Sequence, residues 1–194
     1  MDAISTLTKN CLYLKEGRKI CYEKTLKTIT SYLQHHIDTK HQFSRINDGS
    51  KAIITKVFIK TSEANNTHIQ GKTLKIYIEF FSPKGIKGAS LSFQVINENG
   101  IPYMHLWTYD DILPMGRKPG YYKVVCEIPK CHLYMGRFYL KTYLVDPSIK
   151  TPLDIVDEVC PFEVTMFGHV RDHPWHADTC TYIEDCIWSA SHHE

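Results

Sequence analysis

The chain has 194 residues, a formal net charge of +2 and 43% hydrophobic residues. That length suits one domain plus an appendage. The near-neutral balance, with no long Lys/Arg block, gives no electrostatic case for nucleic acid or an acidic membrane surface.

The N-terminus lacks the basic-then-apolar layout of a secretory signal, and no apolar run approaches membrane-spanning length. Seven cysteines, at 11, 21, 126, 131, 160, 180 and 186, then read as free thiols in a reducing cytoplasm. Residues 1–34 differ in pattern from the rest of the chain. Ile4 and Leu7 suit a short helix. Residues 11–15 and 18–22 form short runs around Glu16 and Gly17, which predicts a hairpin. Tyr22, Leu26, Ile29 and Leu33 recur at helical steps and give one apolar face. This segment has too little apolar surface for its own core and is expected to pack on something else. Residues 35–50 are polar and aperiodic, and read as a linker ending in a turn at Asn47, Asp48 and Gly49.

Residues 51–166 carry short alternating runs with turns between them: 52–60, 73–81, 89–97, 101–109, 121–128, 137–145 and 158–165. Such spacing predicts an all-β fold, an Ig-like or jelly-roll antiparallel β-sandwich, with the short α/β segment ahead of it. Side chains alternate across a strand. Leu74, Ile76, Ile78 and Phe80 therefore face a core while Lys75, Tyr77, Glu79 and Phe81 face out. Ala89, Leu91, Phe93 and Val95 face in, against Ser90, Ser92 and Gln94. Phe138, Leu140 and Leu144 face in, against Arg137, Tyr139, Lys141 and Tyr143. In 101–109, Met104 and Leu106 oppose Tyr103, His105, Trp107 and Tyr109, and the aromatic set is placed outward. Asn97 to Gly100 read as a hairpin turn. Residues 110–120 and 146–157 read as loops. The tail, 167–194, is rich in His, Cys and Trp and is expected to add or exchange a strand.

Two regions carry a family resemblance. The stretch from Asp2 to Cys21, DAISTLTKNCLYLKEGRKIC, with ITSYL at 29–33, resembles the final portion of an ABC-transporter nucleotide-binding domain. The family's glycine before the last helix is replaced by Tyr22-Glu23. The second region is AIITKVFI at 52–59, Asn99-Gly100-Ile101, MGRFYL at 135–140, and Phe162-Glu163-Val164 with Arg171 and Trp175. It resembles the C-terminal carbohydrate-binding domain of Wzt-like ATPase subunits of polysaccharide-export transporters. The two occur in the order that family uses. The resemblance implies a β-sandwich that binds the end of an exported glycan of O-antigen type. It also implies a homodimer that meets the transporter's transmembrane subunit at the inner face of the cell membrane.

The residues themselves bear on the chemistry. A phosphate loop needs Gly-x4-Gly-Lys-Ser/Thr between a strand and a helix. The nearest match, Asn66 to Thr73, lacks the first glycine and leads into a strand. This chain is therefore expected to hydrolyse no ATP itself and to need no cofactor. Sugars offer apolar C–H faces and many hydroxyls, so a binder wants aromatic platforms beside amide or charged groups. The outward candidates are Tyr77, Gln94, His105, Trp107, Tyr109, Arg137, Tyr139, Lys141 and Tyr143. The same rings also suit a dimer interface or a contact with the transporter, so an assembly module is the competing reading. Zinc is a smaller alternative, with His169, His173, His176, Cys180 and Cys186 as ligands, but the tail lacks a tight Cys-x2-Cys knuckle. Glycoside cleavage needs paired carboxyls across a cleft. Asp110, Asp111, Asp154, Asp157 and Glu158 lie in or beside loops, and no pair is marked out. Nor do Asp110 and Asp154 belong to an ordered calcium loop.

Overall fold

The computed structural model of the chain describes residues 8–15, 17–25, 28, 42–149, 151–166, 176 and 179–191. It comprises two units, Met1–Lys40 and His41–Glu194. In the first, β1 (Asn10–Lys15) pairs antiparallel with β2 (Arg18–Lys24). The expected hairpin turns at Gly17, whose φ of 76° is a backbone state that suits glycine. β2 runs on to Lys24, so Tyr22 is an exposed strand residue rather than the first position of a helix face. Thr25 Oγ1 donates to the carbonyl of Thr8 at 2.8 Å, tying the end of the hairpin to its beginning. Ile4, Leu7, Leu26, Ile29 and Leu33 lie outside the described residues.

The second unit is an all-β sandwich of antiparallel character. Its strands are β3 (Gln42–Ser44), β4 (Ile53–Lys60), β5 (Thr67–Ile69), β6 (Leu74–Ser82), β7 (Ser90–Asn97), β8 (Pro102–Tyr109), β9 (Gly120–Ile128), β10 (Gly136–Val145) and β11 (Pro152–Thr165). The larger sheet has five strands in the order β5-β11-β10-β7-β8, and the smaller has four in the order β3-β4-β6-β9. Only the short β5–β11 pair among these is parallel.

The period of two does what physical chemistry requires of it. Leu74, Ile76, Ile78 and Phe80 on β6 are buried, as are Leu91, Phe93 and Val95 on β7 and Phe138, Leu140 and Leu144 on β10. These inward sets form one apolar core between the sheets.

Three stretches differ from the sequence reading. Residues 42–44, within the stretch read as a linker, form β3 and pair with β4. β5 occupies residues read as part of a connection. β11 begins at Pro152, inside the stretch read as a loop. Its alternation is broken at Glu158 and Cys160, both non-glycine residues with positive φ (51° and 53°), and its register with β10 shifts repeatedly. Bulges of this kind put an extra residue in one strand and erase the two-residue period. Tyr103 is a further correction. A bulge between Val95 and Ile96 displaces the start of β8, and Tyr103 packs edge-on against the core ring of Phe138, with centroids 5.6 Å apart.

One side of the sandwich is tied by polar contacts between sheets. The Asp154 carboxylate on β11 pairs with Arg45 and accepts the Ile54 N–H of β4 at 2.7 Å. Arg45 Nε donates to the Ile54 carbonyl at 2.7 Å. Further along β11, the buried Cys160 thiol donates to the Val57 carbonyl at 3.3 Å. Burial pushes that thiol's pKa up to about 11, so it stays protonated and can donate. On the opposite side β8 and β9 are the terminal strands of their sheets, and no pairing joins them.

Asp154→Ala is expected to lower unfolding free energy by about 1.5–3 kcal/mol, the usual worth of hydrogen bonds to a charged group. Urea denaturation followed by tryptophan fluorescence measures this, and an unchanged midpoint would show that the tie is not structural.

Candidate functional site

The outward face of the larger sheet presents an ordered array. Register places Lys141, Gln94 and His105 side by side across β10, β7 and β8, with Tyr143, Ser92 and Trp107 in the next outward row. Ser90 comes next, between Val145 and Tyr109. The central strand thus contributes Ser90, Ser92 and Gln94, while the flanking strands contribute Tyr143 on one side and His105, Trp107 and Tyr109 on the other. β10 and β8 are two strand spacings apart, about 9–10 Å. Small serines between tall rings leave a shallow trough along β7, narrowed by the His105 and Tyr143 rings.

The rings touch and are oriented. His105 and Trp107 meet edge to face, 5.6 Å between centroids, and His105 lies 6.4 Å from Tyr143. Tyr143 donates its hydroxyl to Gln94 Oε1 at 3.0 Å, fixing the amide. The Lys141 ammonium lies 6.0 Å from the Tyr143 ring centroid and is paired with Asp157 of β11. That carboxylate's hydrogen bond raises the Lys141 pKa, so the ammonium stays charged. Trp107 is 65% exposed, a large apolar ring held in water by its neighbours. The trough therefore offers a stacking ring, an imidazole, an amide, an ammonium and hydroxyls on one surface.

Of the residues singled out from sequence, Gln94, His105, Trp107, Tyr109, Arg137, Tyr139, Lys141 and Tyr143 lie on this face. Arg137 and Tyr139 stand at its other end, nearer the start of β10. Tyr77 stands apart. It is on the outward face of the smaller sheet, stacked on Phe58 with centroids 4.1 Å apart and planes 4° apart. Lys123 lies over its ring and Lys56 over that of Phe58. Sequence reading missed Ser90 and Ser92 as a floor. Their outward parity was legible, but the value of a small side chain appears only between tall neighbours on paired strands.

The loop carboxylates have structural partners. Asp110 is buried, accepts Arg117 Nε at 2.5 Å and accepts the Gly88 amide at 3.2 Å. The Arg117 hydrogen bond holds its carboxyl below the usual aspartate range. This anchors the 110–119 loop beside the end of β8. The loop also packs tightly at Gly116, where a Cβ would lie 2.9 Å from that of Ala89 and φ is +75°. Asp154 serves the tie between sheets and Asp157 serves Lys141. Asp111 and Glu158 are exposed. In the tail, His169 and His173 lie outside the described residues, and His176, Cys180 and Cys186 are exposed. Among the described residues no group of His, Cys, Asp or Glu is arranged to hold a metal ion. No strand runs through 179–191; that stretch is held by a bridge between Leu133 and Tyr182, by the Tyr134 amide donating to the Thr181 carbonyl at 3.1 Å, by the Ile183 amide donating to the His132 carbonyl at 2.9 Å, by His132 Nδ1 2.8 Å from the Ile183 carbonyl, and by a Lys130–Asp185 ion pair.

No family model matches the chain, and no curated protein does. Among solved structures it is similar to the C-terminal domain of Wzt, with 12% identity and a TM-score of 0.44 over 68% of this chain and 87% of that one. It is similar to a Niemann-Pick type C2 protein from Japanese carpenter ant, with 6% identity and a TM-score of 0.46 over 63% and 99%. It is also similar to the CARDB domain of the PF1109 protein from Pyrococcus furiosus, with 11% identity and a TM-score of 0.35 over 63% and 100%. The chain's own geometry carries the site.

Proposed function

We propose that the sandwich is a non-catalytic binding module for a polysaccharide, with the trough on the larger sheet as its glycan site. The observation that carries this reading is the register of Tyr143, Ser92 and Trp107 beside Lys141, Gln94 and His105. A pyranose laid between the rings covers its C–H face on Trp107, and its hydroxyls meet Gln94, His105 and the serines. The amide orientation set by Tyr143 supplies directionality, because a sugar reads a fixed donor–acceptor pattern better than a mobile one. The resemblance to Wzt-like proteins points to an O-antigen-type glycan, read at its non-reducing end and delivered to an export transporter at the inner membrane face. Under this reading the ATPase site belongs to a preceding nucleotide-binding domain.

Assembly through the tail is favoured by one observation. Ile187 and Trp188 are 100% and 90% exposed just beyond the stretch fixed to His132 and Leu133. Such residues at the tip of an anchored segment suit insertion into a second copy. The two functions are compatible, since tail and trough are separate surfaces in sequence.

Trp107→Ala and Tyr143→Ala are each expected to weaken binding of the source cell's surface polysaccharide at least about tenfold, equivalent to ~1.4 kcal/mol of lost contact. Calorimetric titration measures the loss, and circular dichroism checks that both variants fold. Unchanged affinity in both would move the glycan site off this face. Deleting residues 187–194 should leave glycan affinity intact and convert a dimer to a monomer in sedimentation; a wild-type monomer would remove the assembly reading.

A further inference from the structure

The unpaired side of the sandwich opens into a cleft of about 310 Å³. The larger sheet supplies Leu91, Phe93 and Leu106 to its wall, and the smaller supplies Ile76, Ile78 and Val124. These are core-facing positions of strands that end their sheets or adjoin the ends, so the slot lies in the plane of the core. Its rim includes Trp107 and Val125, with Ile112 and Leu113 from the loop that Asp110 and Arg117 anchor. Ile112 is 65% and Leu113 41% exposed, two apolar side chains left at the surface in a loop whose other apolar residue, Met115, is buried in the core.

We propose that this slot binds a single aliphatic chain of about a dozen carbons, as in a medium-chain fatty acid or alkyl alcohol. Size, shape and polarity each support that choice. An apolar cavity of about 150 Å³ accepts a benzene-sized molecule, so one of twice that volume accepts roughly twice the carbon. Packed sheets stand about 10 Å apart, so a gap between them is one side-chain layer thick and suits a chain better than a folded segment. Among the described lining residues the polar side-chain groups are the Thr108 hydroxyl, the Cys126 thiol and the Trp107 indole N–H, and none is a carboxylate, ammonium or guanidinium. A charged head group therefore has no partner inside and stays at the rim. The proposal is independent of the glycan reading, although Trp107 borders both sites.

The test uses the full chain and a series of saturated fatty acids from hexanoate to hexadecanoate, with 1-dodecanol as the uncharged control. Tryptophan fluorescence gives affinity, and mass spectrometry follows iodoacetamide alkylation at Cys126. Affinity should rise about fourfold per added methylene up to about twelve carbons and then level off. Dodecanol should compete with dodecanoate, and saturating dodecanoate should slow Cys126 alkylation at least about tenfold while leaving the exposed Cys180 unaffected. Val124→Phe, which fills the slot, should abolish binding. Should that variant fail to fold, the Cys126 protection and chain-length series in the wild-type protein decide the matter. Affinity independent of chain length, or no change at Cys126 under saturating ligand, would overturn the proposal. So would a slot that takes no dodecanoate in a chain that sediments as a dimer, which would assign the opening to a second copy. Polysaccharide titration of the same preparation is a separate readout and does not decide this one.

Discussion

The Asp154 carboxylate fixes which side of this sandwich is shut. It sits on β11 of the larger sheet, yet its partners, Arg45 and the Ile54 amide, precede and begin β4 of the smaller one. Taking a carboxylate out of water is costly unless its oxygens are satisfied, and here a guanidinium and a backbone N–H do that together. The Cys160–Val57 contact extends the tie along the same pair of strands. With that side held, the inward faces of both sheets meet over β4, β6, β10 and β7, and the remaining pair of terminal strands, β8 and β9, is left without cross-sheet hydrogen bonds among the described residues. The same constraint leaves an apolar slot on that side and makes β8 both a wall of the core and the carrier of Trp107.

β8 has two faces with different tasks. Leu106 faces the apolar interior, while His105, Trp107 and Tyr109 face out beside the serines of β7. A terminal strand with exposed backbone groups invites pairing with another chain. Here its outward side chains are large and amphipathic, which suits recognition of a flat polar ligand. The electrostatic environment of the trough is modest. Lys141 is shared with Asp157, so the site lacks a strong field of one sign and suits a neutral or weakly charged glycan better than a polyanion.

Much of the sandwich was legible because period-two alternation is a local property. The runs read at 52–60, 73–81, 89–97, 101–109, 121–128 and 137–145 each coincide closely with β4, β6, β7, β8, β9 and β10. β11 was legible only in its second half, because the positive-φ residues Glu158 and Cys160 interrupt its alternation. β3 and β5, at three residues each, are too short for a pattern to emerge against a polar background. The membership of the outward array came from parity, yet parity alone does not say which strands are neighbours. It therefore grouped Tyr77 with residues on the opposite sheet. The slot was illegible for the same reason: its walls come from strands brought together by sheet order, and the sequence signal was limited to Ile112 and Leu113 in a loop.

One assignment is central: the outward face of the larger sheet is the ligand face. A backbone-resolved NMR titration with the source cell's surface polysaccharide tests it. Amide shifts concentrated on β10, β7 and β8, around Gln94, Ser92, Trp107 and Tyr143, are the predicted result. Shifts concentrated instead on β4 and β6, around Phe58 and Tyr77, would contradict it.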